Sequence, residues 1–326
     1  MGKFRNHTYQ GLSMRSFASL DEAWKELGMD FEVGTAPLDY TVRLKNEAGE
    51  YEDRTIRSPR EVQVYRKDDG RAMGVVGLVY RTMAHPVALE FARQLIVGGA
   101  RIIGGGCPNR GERAYLILES DGNVAIGPKD NIVNRFVLTN THDGTGKIEL
   151  RITPFWTRSG TAFNPETGKP LSFKHTTNVQ NRLASANKVM SRVNANWDEF
   201  SNAVKKMIGT PISEKEAKEF IEAILPHTGE EAGPKLENIR SEILTIFRDT
   251  GIGCRLPACR GTVFGVVQAF SEYADIKQTV RKSDKRDRVS ATLDARLMGD
   301  AAKKKAKAWA FALHMTKQTH MRGANS

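Results

Sequence analysis

The chain has 326 residues, 40% hydrophobic and 27% charged, which is the composition of a globular protein with a substantial core. It contains no apolar run long enough to cross a bilayer and no apolar stretch of a secretory signal near its start, so we expect a cytoplasmic protein. Its 3 cysteines argue against a disulfide framework, and its net charge of +11 favours a polyanionic partner.

The first predicted element is a helix over 20–27, with Ser19 as its N-cap and Gly28 as its end. Residues 1–18 before it are expected to form a flexible arm. Three predicted strands follow, at 40–44, 61–66 and 72–80. The last of them is almost continuously apolar, so we expect a central strand that is covered on both faces.

A predicted helix begins at Pro86 and ends near Val97. Two further strands, 100–105 and 113–120, are expected to pair around a turn at Gly104-Gly105-Gly106. Asp143-Gly144 then lies between two runs of alternating apolar and polar residues, which predicts a β-hairpin over 133–155.

A long helix is predicted from about Asn178 to Met207, because apolar residues recur along it at spacings of three and four. The opposite face of this helix carries basic and neutral polar residues and no acidic one: Asn181, Arg182, Ser185, Lys188 and Arg192. A solvated helix face usually mixes charges of both signs, so this face suggests an anionic ligand.

The remaining chain is predicted to be mostly helical. Ser213 and Glu216 form a capping box, 261–275 has the composition of a buried helix, and a basic helix ends the fold. The fold class expected is α+β: an antiparallel sheet with a strand-strand-strand-helix core, a hairpin, a long basic helix and a C-terminal helical part. We divide the chain into the arm (1–18), a nucleic-acid-binding core (19–208), a helical region that completes the fold or makes oligomer contacts (209–315) and a polar tail (316–326).

Catalytic signatures are missing from the sequence. It has no nucleotide-binding loop of the P-loop or dinucleotide type, no nucleophile elbow, and no pair of metal-ligand motifs. His142-Asp143 is the one pair that could serve a metal-dependent enzyme, although Asp143-Gly144 is explained by the turn alone. We therefore expect a binding protein rather than an enzyme, with no cofactor and no metal.

The positive charge is unevenly distributed along the chain. Residues 147–174 carry 5 Lys and Arg against 2 Glu, 281–307 carry 10 against 4 acids, and 214–249 carry 5 against 9. Such segregation is typical of a nucleic-acid footprint. The predicted phosphate-contacting residues are Lys147, Arg151, Arg158, Lys174, His175, Arg182, Lys188 and Arg192, with Arg81, Arg101, Arg110 and Arg113 on the opposing wall. Trp156 is the best exposed candidate for stacking on bases.

Three blocks carry a family resemblance: NRFVLTNTHDGTGKIELRITPFWTR, FKHTTNVQNRLASANKVM and GTVFGVVQAFSEYAD. In this combination they resemble the phage- and plasmid-borne family known as domain of unknown function nine-three-two, over roughly residues 20–315. Members often carry a Cys-Asn-Thr-Leu run where this chain has Gly160-Thr161-Ala162-Phe163. The resemblance implies a mobile genetic element and assigns no activity. The order of elements is also similar to that of single-strand annealing recombinases of the Red-beta and Rad type.

These observations predict a protein that binds single-stranded DNA without sequence preference and anneals complementary strands into duplex without ATP, as a ring or helical filament of identical subunits. A partner exonuclease or single-strand-binding protein is expected with such a function. Two rival hypotheses are a metal-dependent nucleic-acid enzyme that uses His142 and Asp143, and a non-catalytic anti-defence protein whose basic surface meets an acidic host protein.

Overall fold

The α+β class is confirmed by a computed structural model, which describes residues 6–80, 85–108, 111–128, 130–144, 148–165, 171–173, 186–227, 233–280 and 287–323. Its strands are β1 (Val33–Lys45), β2 (Tyr51–Arg66), β3 (Ala72–Gly77), β4 (Arg101–Gly106), β5 (Arg113–Gly127), β6 (Asp130–Thr141), β7 (Ile148–Ile152), β8 (Phe155–Trp156), β9 (Thr161–Ala162) and β10 (Leu171–Phe173). Its helices are α1 (Leu20–Glu26), α2 (His85–Val97), α3 (Ala186–Ile208), α4 (Glu214–Ile224), α5 (Gly233–Thr245), α6 (Val263–Glu272), α7 (Arg288–Leu297) and α8 (Asp300–Gly323).

The strands form two antiparallel sheets. The smaller has three strands in the order β1-β2-β3. The larger has seven, with the path β10-β7-β6-β5-β4, and β8 pairs with both β6 and β9. The pairing of β6 with β7 confirms the predicted hairpin, since Phe136 lies opposite Ile152 and Thr139 opposite Glu149.

Local capping signals in the sequence fix several helix ends. The Ser19 side chain accepts a hydrogen bond from the Glu22 N–H at the start of α1, as predicted. Ser213 and Glu216 form the predicted capping box of α4. Helix α6 is buried along its whole length, as its composition indicated, and continues into a π-helical turn at Tyr273–Lys277. No helix in the described ranges combines the length and the apolar character that a membrane span requires.

Helices α1, α2 and α7 pack on the larger sheet in separate clusters, whereas α3 to α6 and α8 share one hydrophobic core with it. Side chains of β5, β6 and β8 pack in it with residues of α3, α4, α6 and α8. Its centre is aromatic: the rings of Phe200 and Trp309 stack with centroids 4.8 Å apart, and Phe163 lies 5.6 Å from Phe264. The helical region therefore forms part of the same folded unit as the sheet.

The expected flexible arm is wrong for residues 6–18. Tyr9 is fully buried and stacks on Phe155, with ring centroids 5.5 Å apart. Thr8 donates a hydrogen bond of 2.6 Å to Asp275, and Ser13 forms a β-bridge with Gly105. The segment is held by groups as far as 289 residues away along the chain, since Arg296 donates a hydrogen bond to the His7 carbonyl, and no local pattern shows such contacts.

The expected polar tail is wrong through residue 323. Helix α8 begins at Asp300 and continues to Gly323, so most of the predicted tail is the last part of this helix. The alanines that recur along α8 allow it to pack closely, and Trp309 anchors it in the aromatic centre of the core.

Two strand predictions also need correction. The run 72–80 is no covered central strand, because β3 ends at Gly77 and lies last in the three-stranded sheet, where Leu78 and Val79 are 56% and 80% exposed. Gly104, Gly105 and Gly106 do not form a turn but lie within β4. They allow close approach of other chain segments there: a Cβ at Gly104 would lie 2.5 Å from the Ser13 carbonyl oxygen.

Candidate nucleic-acid interface

A row of charged side chains crosses three neighbouring strands of the larger sheet. Arg101 of β4 lies opposite Glu119 of β5, and Glu119 lies opposite Arg135 of β6. Arg101 Nη2 and Arg135 Nε donate hydrogen bonds of 2.5 and 2.8 Å to the Glu119 carboxylate. Burial works to raise the pKa of Glu119, but these hydrogen bonds outweigh it and hold the pKa below its usual value. Arg101 is therefore already paired with a carboxylate.

Arg151 and Arg158, two further predicted phosphate contacts, are paired in the same way. Arg151 Nη2 donates a hydrogen bond of 2.8 Å to Glu149, two residues earlier on β7. Arg158 Nη2 donates one of 2.8 Å to Asp130 at the start of β6, and this hydrogen bonding raises the pKa of Arg158. A phosphate that approaches either guanidinium must compete with a carboxylate already in place.

The assignment of Arg113 to the DNA-facing wall is wrong. Its side chain is buried and bridges two carboxylates, with Nη1 2.6 Å from Asp294 and Nη2 3.1 Å from Asp143. The Tyr115 hydroxyl donates a further hydrogen bond of 2.5 Å to Asp294. A buried arginine is stable only when its charge is compensated in this manner. Arg113 therefore ties β5 to α7 and to the end of the hairpin.

The prediction that Trp156 is an exposed stacking platform is also wrong. Its side chain has an exposed fraction of 0%, and its ring lies 6.4 Å from that of Phe264. A Cβ at Gly253 would come within 2.5 Å of this indole, so the loop before α6 closes directly over it. Trp156 is a core residue.

His142 and Asp143 do not form an open catalytic pair. His142 is fully buried, its ring meets that of Phe31 edge-on at 6.1 Å, and its backbone N–H donates to the Glu112 carbonyl. Asp143 holds Arg113. Among the described residues there is no group of three or more His, Cys, Asp or Glu side chains that could hold a metal ion. The two residues hold the turn in place through these contacts with Phe31, Glu112 and Arg113.

The remaining predicted contacts lie outside the described residues. They are Arg81, Arg110, Lys147, Lys174, His175 and Arg182, together with the side chains of Lys188 and Arg192. The backbone at Lys188 and Arg192 is helical, within α3. The predicted trough between hairpin and helix therefore stays an expectation, and the four predicted arginines that the structure describes all bind carboxylates.

A different surface carries exposed cations without carboxylates. We call it the basic end and define it as Lys205, Lys206, Arg255 and Arg260, all exposed. None of the four forms an ion pair with a carboxylate in the described part of the chain. Two acids that flank it in sequence, Glu214 after α3 and Asp249 before the loop, both bind Arg248 instead.

Backbone hydrogen bonds join the two segments that carry the basic end. Lys205 and Lys206 occupy the last turn of α3, and Arg255 and Arg260 lie in the compact loop before α6. The Ile212 N–H donates to the Gly261 carbonyl at 2.9 Å, and the Val263 N–H donates to the Thr210 carbonyl at 3.0 Å. These bonds join residues 210–212, which follow α3, to residues 261–263, which follow Arg260. The partial negative charge at the end of α3 also stabilises lysines there, which is a structural reason for two of the four cations.

Sequence reasoning missed the basic end, although two signals were present. Neither Lys205 nor Lys206 has an acidic residue three or four positions away, so neither can form a helical ion pair. The segment 250–271 contains no Asp or Glu at all. Only the fold shows that these two segments meet.

Comparison with known protein families matches residues 72–296 to the family described as Domain of unknown function (DUF932). This is more than half of the chain. The chain belongs to the DUF932 family. The DUF932 match begins at β3 and ends in α7, so it includes the larger sheet and the basic end and leaves β1, β2 and α8 outside. Neither the curated proteins nor the solved structures contain a match to this DUF932 protein.

Proposed function

We propose that this protein binds single-stranded DNA without sequence preference and, as an oligomer, anneals complementary strands without ATP. The observation that carries the proposal is the basic end: its four cations are exposed, lie on two segments that backbone hydrogen bonds join, and have no carboxylate partner among the described residues. It supports the proposal because unpaired surface cations attract phosphates without first giving up another anion.

The arginines of the larger sheet are poor candidates for the same role. Arg101, Arg151 and Arg158 each hydrogen-bond a carboxylate, and Glu119, Glu149 and Asp130 are themselves largely buried. Moving Arg151 or Arg158 onto phosphate would leave its carboxylate uncompensated, which is costly in a buried site, and moving Arg101 would remove one of the two cations that Glu119 binds. The proposed DNA surface is therefore centred on α3 and the loop before α6.

Helix α3 links the basic end to the predicted contacts Lys188 and Arg192. Lys188 and Lys206 belong to one continuous helix, and a helical rise of about 1.5 Å per residue puts their backbones about 27 Å apart. A DNA strand that lay along this helix would contact it over several nucleotides. The proposed path is therefore along α3, from Lys188 to the basic end.

Annealing needs no nucleotide hydrolysis in this scheme. Cations neutralise the phosphates of a bound strand and release its counterions, which weakens the repulsion between two strands. Because the contacts are with the backbone, the bases stay accessible for pairing, and pairing itself supplies the free energy. No stacking side chain is assigned, since Trp156 is buried.

The proposed setting is a recombination system of a phage or plasmid, in the cytoplasm, with a partner exonuclease or single-strand-binding protein. The phage or plasmid setting is proposed from the resemblance to the DUF932 family, and the recombination partners are proposed from the similarity to annealing recombinases and the basic charge of the chain. The DUF932 family itself assigns no activity.

The test is a strand-annealing assay with two complementary, fluorescently labelled oligonucleotides and no ATP. The double variant Lys205→Glu/Lys206→Glu should slow annealing and weaken oligonucleotide binding at least about tenfold, because two phosphate contacts become repulsions. The matched control is Lys25→Glu/Arg60→Glu, which changes net charge equally at two exposed cations far from the basic end in sequence.

The outcomes separate the hypotheses. If both double variants lose binding equally, net charge alone explains DNA binding, the location of the cations has no effect, and the proposal is contradicted. Binding that is lost without loss of annealing would also contradict it. If the wild-type protein neither binds nor anneals oligonucleotides, the anti-defence hypothesis with an acidic protein partner takes its place.

A further inference from the structure

The hairpin of β1 and β2 extends beyond the rest of the three-stranded sheet. β3 pairs only with Glu61–Tyr65 of β2, whereas β1 and β2 remain paired from Asp39 and Arg57 to Lys45 and Tyr51. We call this part, residues 39–57, the ribbon. None of its residues is buried. A two-stranded ribbon is only marginally stable by itself in water, so further pairing or packing would stabilise it.

One face of the ribbon carries a row of apolar side chains on β1. Tyr40 and Leu44 are 44% and 40% exposed, and Val42 between them is partly buried, as is Ile56 opposite Tyr40. The β2 side of the same face carries the ion pair of Arg54 with Glu52. The other face carries the ion pairs of Arg57 with Asp39 at 3.0 Å and of Arg43 with Asp53 at 3.9 Å, and its one exposed aromatic side chain, Tyr51, lies at the far end of the ribbon. Exposed aromatic and aliphatic side chains in a row on one face indicate an interaction surface.

The outer edge of β1 is also available for pairing. β1 is the first strand of the sheet, and within the described residues only β2 pairs with it. A strand edge of this kind presents unpaired N–H and C=O groups that another strand can use. Pairing along this edge cannot extend past Pro37 towards the body of the protein, because Pro37 has no N–H and the strand register shifts between Pro37 and Asp39.

We propose that β1 pairs with β1 of a second copy of this chain, antiparallel about a two-fold axis at Thr41. Self-pairing about this axis puts Asp39 opposite Arg43 of the second copy and Tyr40 opposite Val42 of the second copy, and each pair occurs twice by symmetry. This inference rests on the proposed function in one respect: the proposed function includes an oligomer, and the pairing of β1 is the contact that would form it. The pairing itself does not require DNA binding.

The sequence of β1 is complementary to itself in this register. The pair of Asp39 with Arg43 joins opposite charges, the pair of Tyr40 with Val42 joins an aromatic with a β-branched side chain, and Thr41 faces Thr41. All three are favourable cross-strand combinations, and no like charges lie opposite each other. The apolar faces of the two ribbons become continuous across the axis, where the neighbouring side chains shield one another from water.

Cysteine cross-linking without nucleic acid tests the pairing. Residues that face each other across an antiparallel pair have Cα atoms about 4.5–5.5 Å apart, within disulfide range, so Thr41→Cys should form a disulfide-linked dimer under mild oxidation. The matched control is Thr55→Cys: Thr55 lies opposite Thr41 on β2, is also exposed, and shares a 3.3 Å hydroxyl contact with it. In the proposed dimer the two Thr55 residues are three strand spacings apart, about 14 Å, and should not cross-link.

Light scattering gives the second measurement. Tyr40→Lys should weaken dimerisation about tenfold or more, because the change acts at both symmetry-related pairs, whereas Tyr51→Lys, on the opposite face and away from the axis, should weaken it less than about twofold. Equal cross-linking of Thr55→Cys, faster cross-linking through Val42→Cys than through Thr41→Cys, or a wild-type monomer at high micromolar concentration would each overturn the proposal. None of these results bears on oligonucleotide binding by Lys205 and Lys206, so the two proposals fail separately.

Discussion

The buried ion pair of Asp275 and Lys305 gives the sharpest stability prediction. Both side chains are almost completely buried, and Lys305 Nζ lies 2.8 Å from Asp275 Oδ1. Asp275 Oδ2 also accepts hydrogen bonds from the Thr8 hydroxyl at 2.6 Å and from the Ala162 N–H at 3.0 Å. One carboxylate thus joins the N-terminal segment, β9, the turn after α6 and α8.

Replacing Asp275 by Asn keeps the shape of the side chain and removes its charge. The ammonium group of Lys305 is then buried without an anion, which lowers the free energy of unfolding by about 3–5 kcal/mol. For a chain of 326 residues this corresponds to a fall in Tm of about 6 °C. The measurement is urea denaturation followed by circular dichroism, with thermal melting as a second readout.

The control is an ion pair of nearly the same length on the surface. Lys67 Nζ lies 2.7 Å from Glu32, but both side chains are more than half exposed. Glu32→Gln should therefore cost less than about 1 kcal/mol. Adding Lys305→Met to Asp275→Asn should recover part of the lost stability, because it removes the uncompensated charge. If Asp275→Asn and Glu32→Gln lower the free energy of unfolding by the same amount, the reasoning from burial is refuted.

The candidate interface, the core and the charged row of the larger sheet each allow a further test. Charge reversal in Lys188→Glu/Arg192→Glu should abolish oligonucleotide binding and leave the circular dichroism spectrum unchanged, and unchanged affinity at low salt would remove this half of α3 from the DNA path. Trp156→Ala should lower the free energy of unfolding by about 3–5 kcal/mol, measured in urea, and a loss of DNA binding with full stability would contradict its place in the core. The pKa of Glu119 is depressed, so its ion pairs stabilise the fold above the pKa of the unfolded state and this stability is lost as pH falls through the folded pKa. The stability advantage of the wild type over Glu119→Gln should therefore be largest near about pH 6 and shrink below about pH 4, and a pH-independent difference in urea titrations would be evidence against it.

Local signals in the sequence predicted the local parts of the fold. The caps at Ser19 and Ser213, the hairpin around Asp143-Gly144 and the buried helix α6 each depend on residues close together in the chain. In each case the side chains that decide the structure lie within a few residues of it. These predictions are confirmed for that reason.

The errors mostly concern contacts between distant segments. The ion pairs of Glu119 depend on the register of β4, β5 and β6, which alternation of apolar residues does not specify. Trp156 stands beside the polar Thr157 and Arg158 in the sequence, but α6 and the loop before that helix cover it, and both lie about 100 residues further along the chain. The arginines looked like a cationic wall because most of their carboxylate partners are remote in the sequence.

Phosphates are expected to bind the unpaired cations of the basic end rather than the arginines of the larger sheet, and this is the central claim. The most direct measurement is the salt dependence of binding to an oligothymidine, recorded for the wild type, for Lys205→Glu/Lys206→Glu and for Arg151→Gln/Arg158→Gln. Each phosphate contact to a single strand contributes about −0.7 to the slope of log K against log salt, so the lysine variant should have a slope smaller in magnitude by about 1.4. For the arginine variant we predict an unchanged slope. A reduced slope in the arginine variant with an unchanged slope in the lysine variant would contradict the claim.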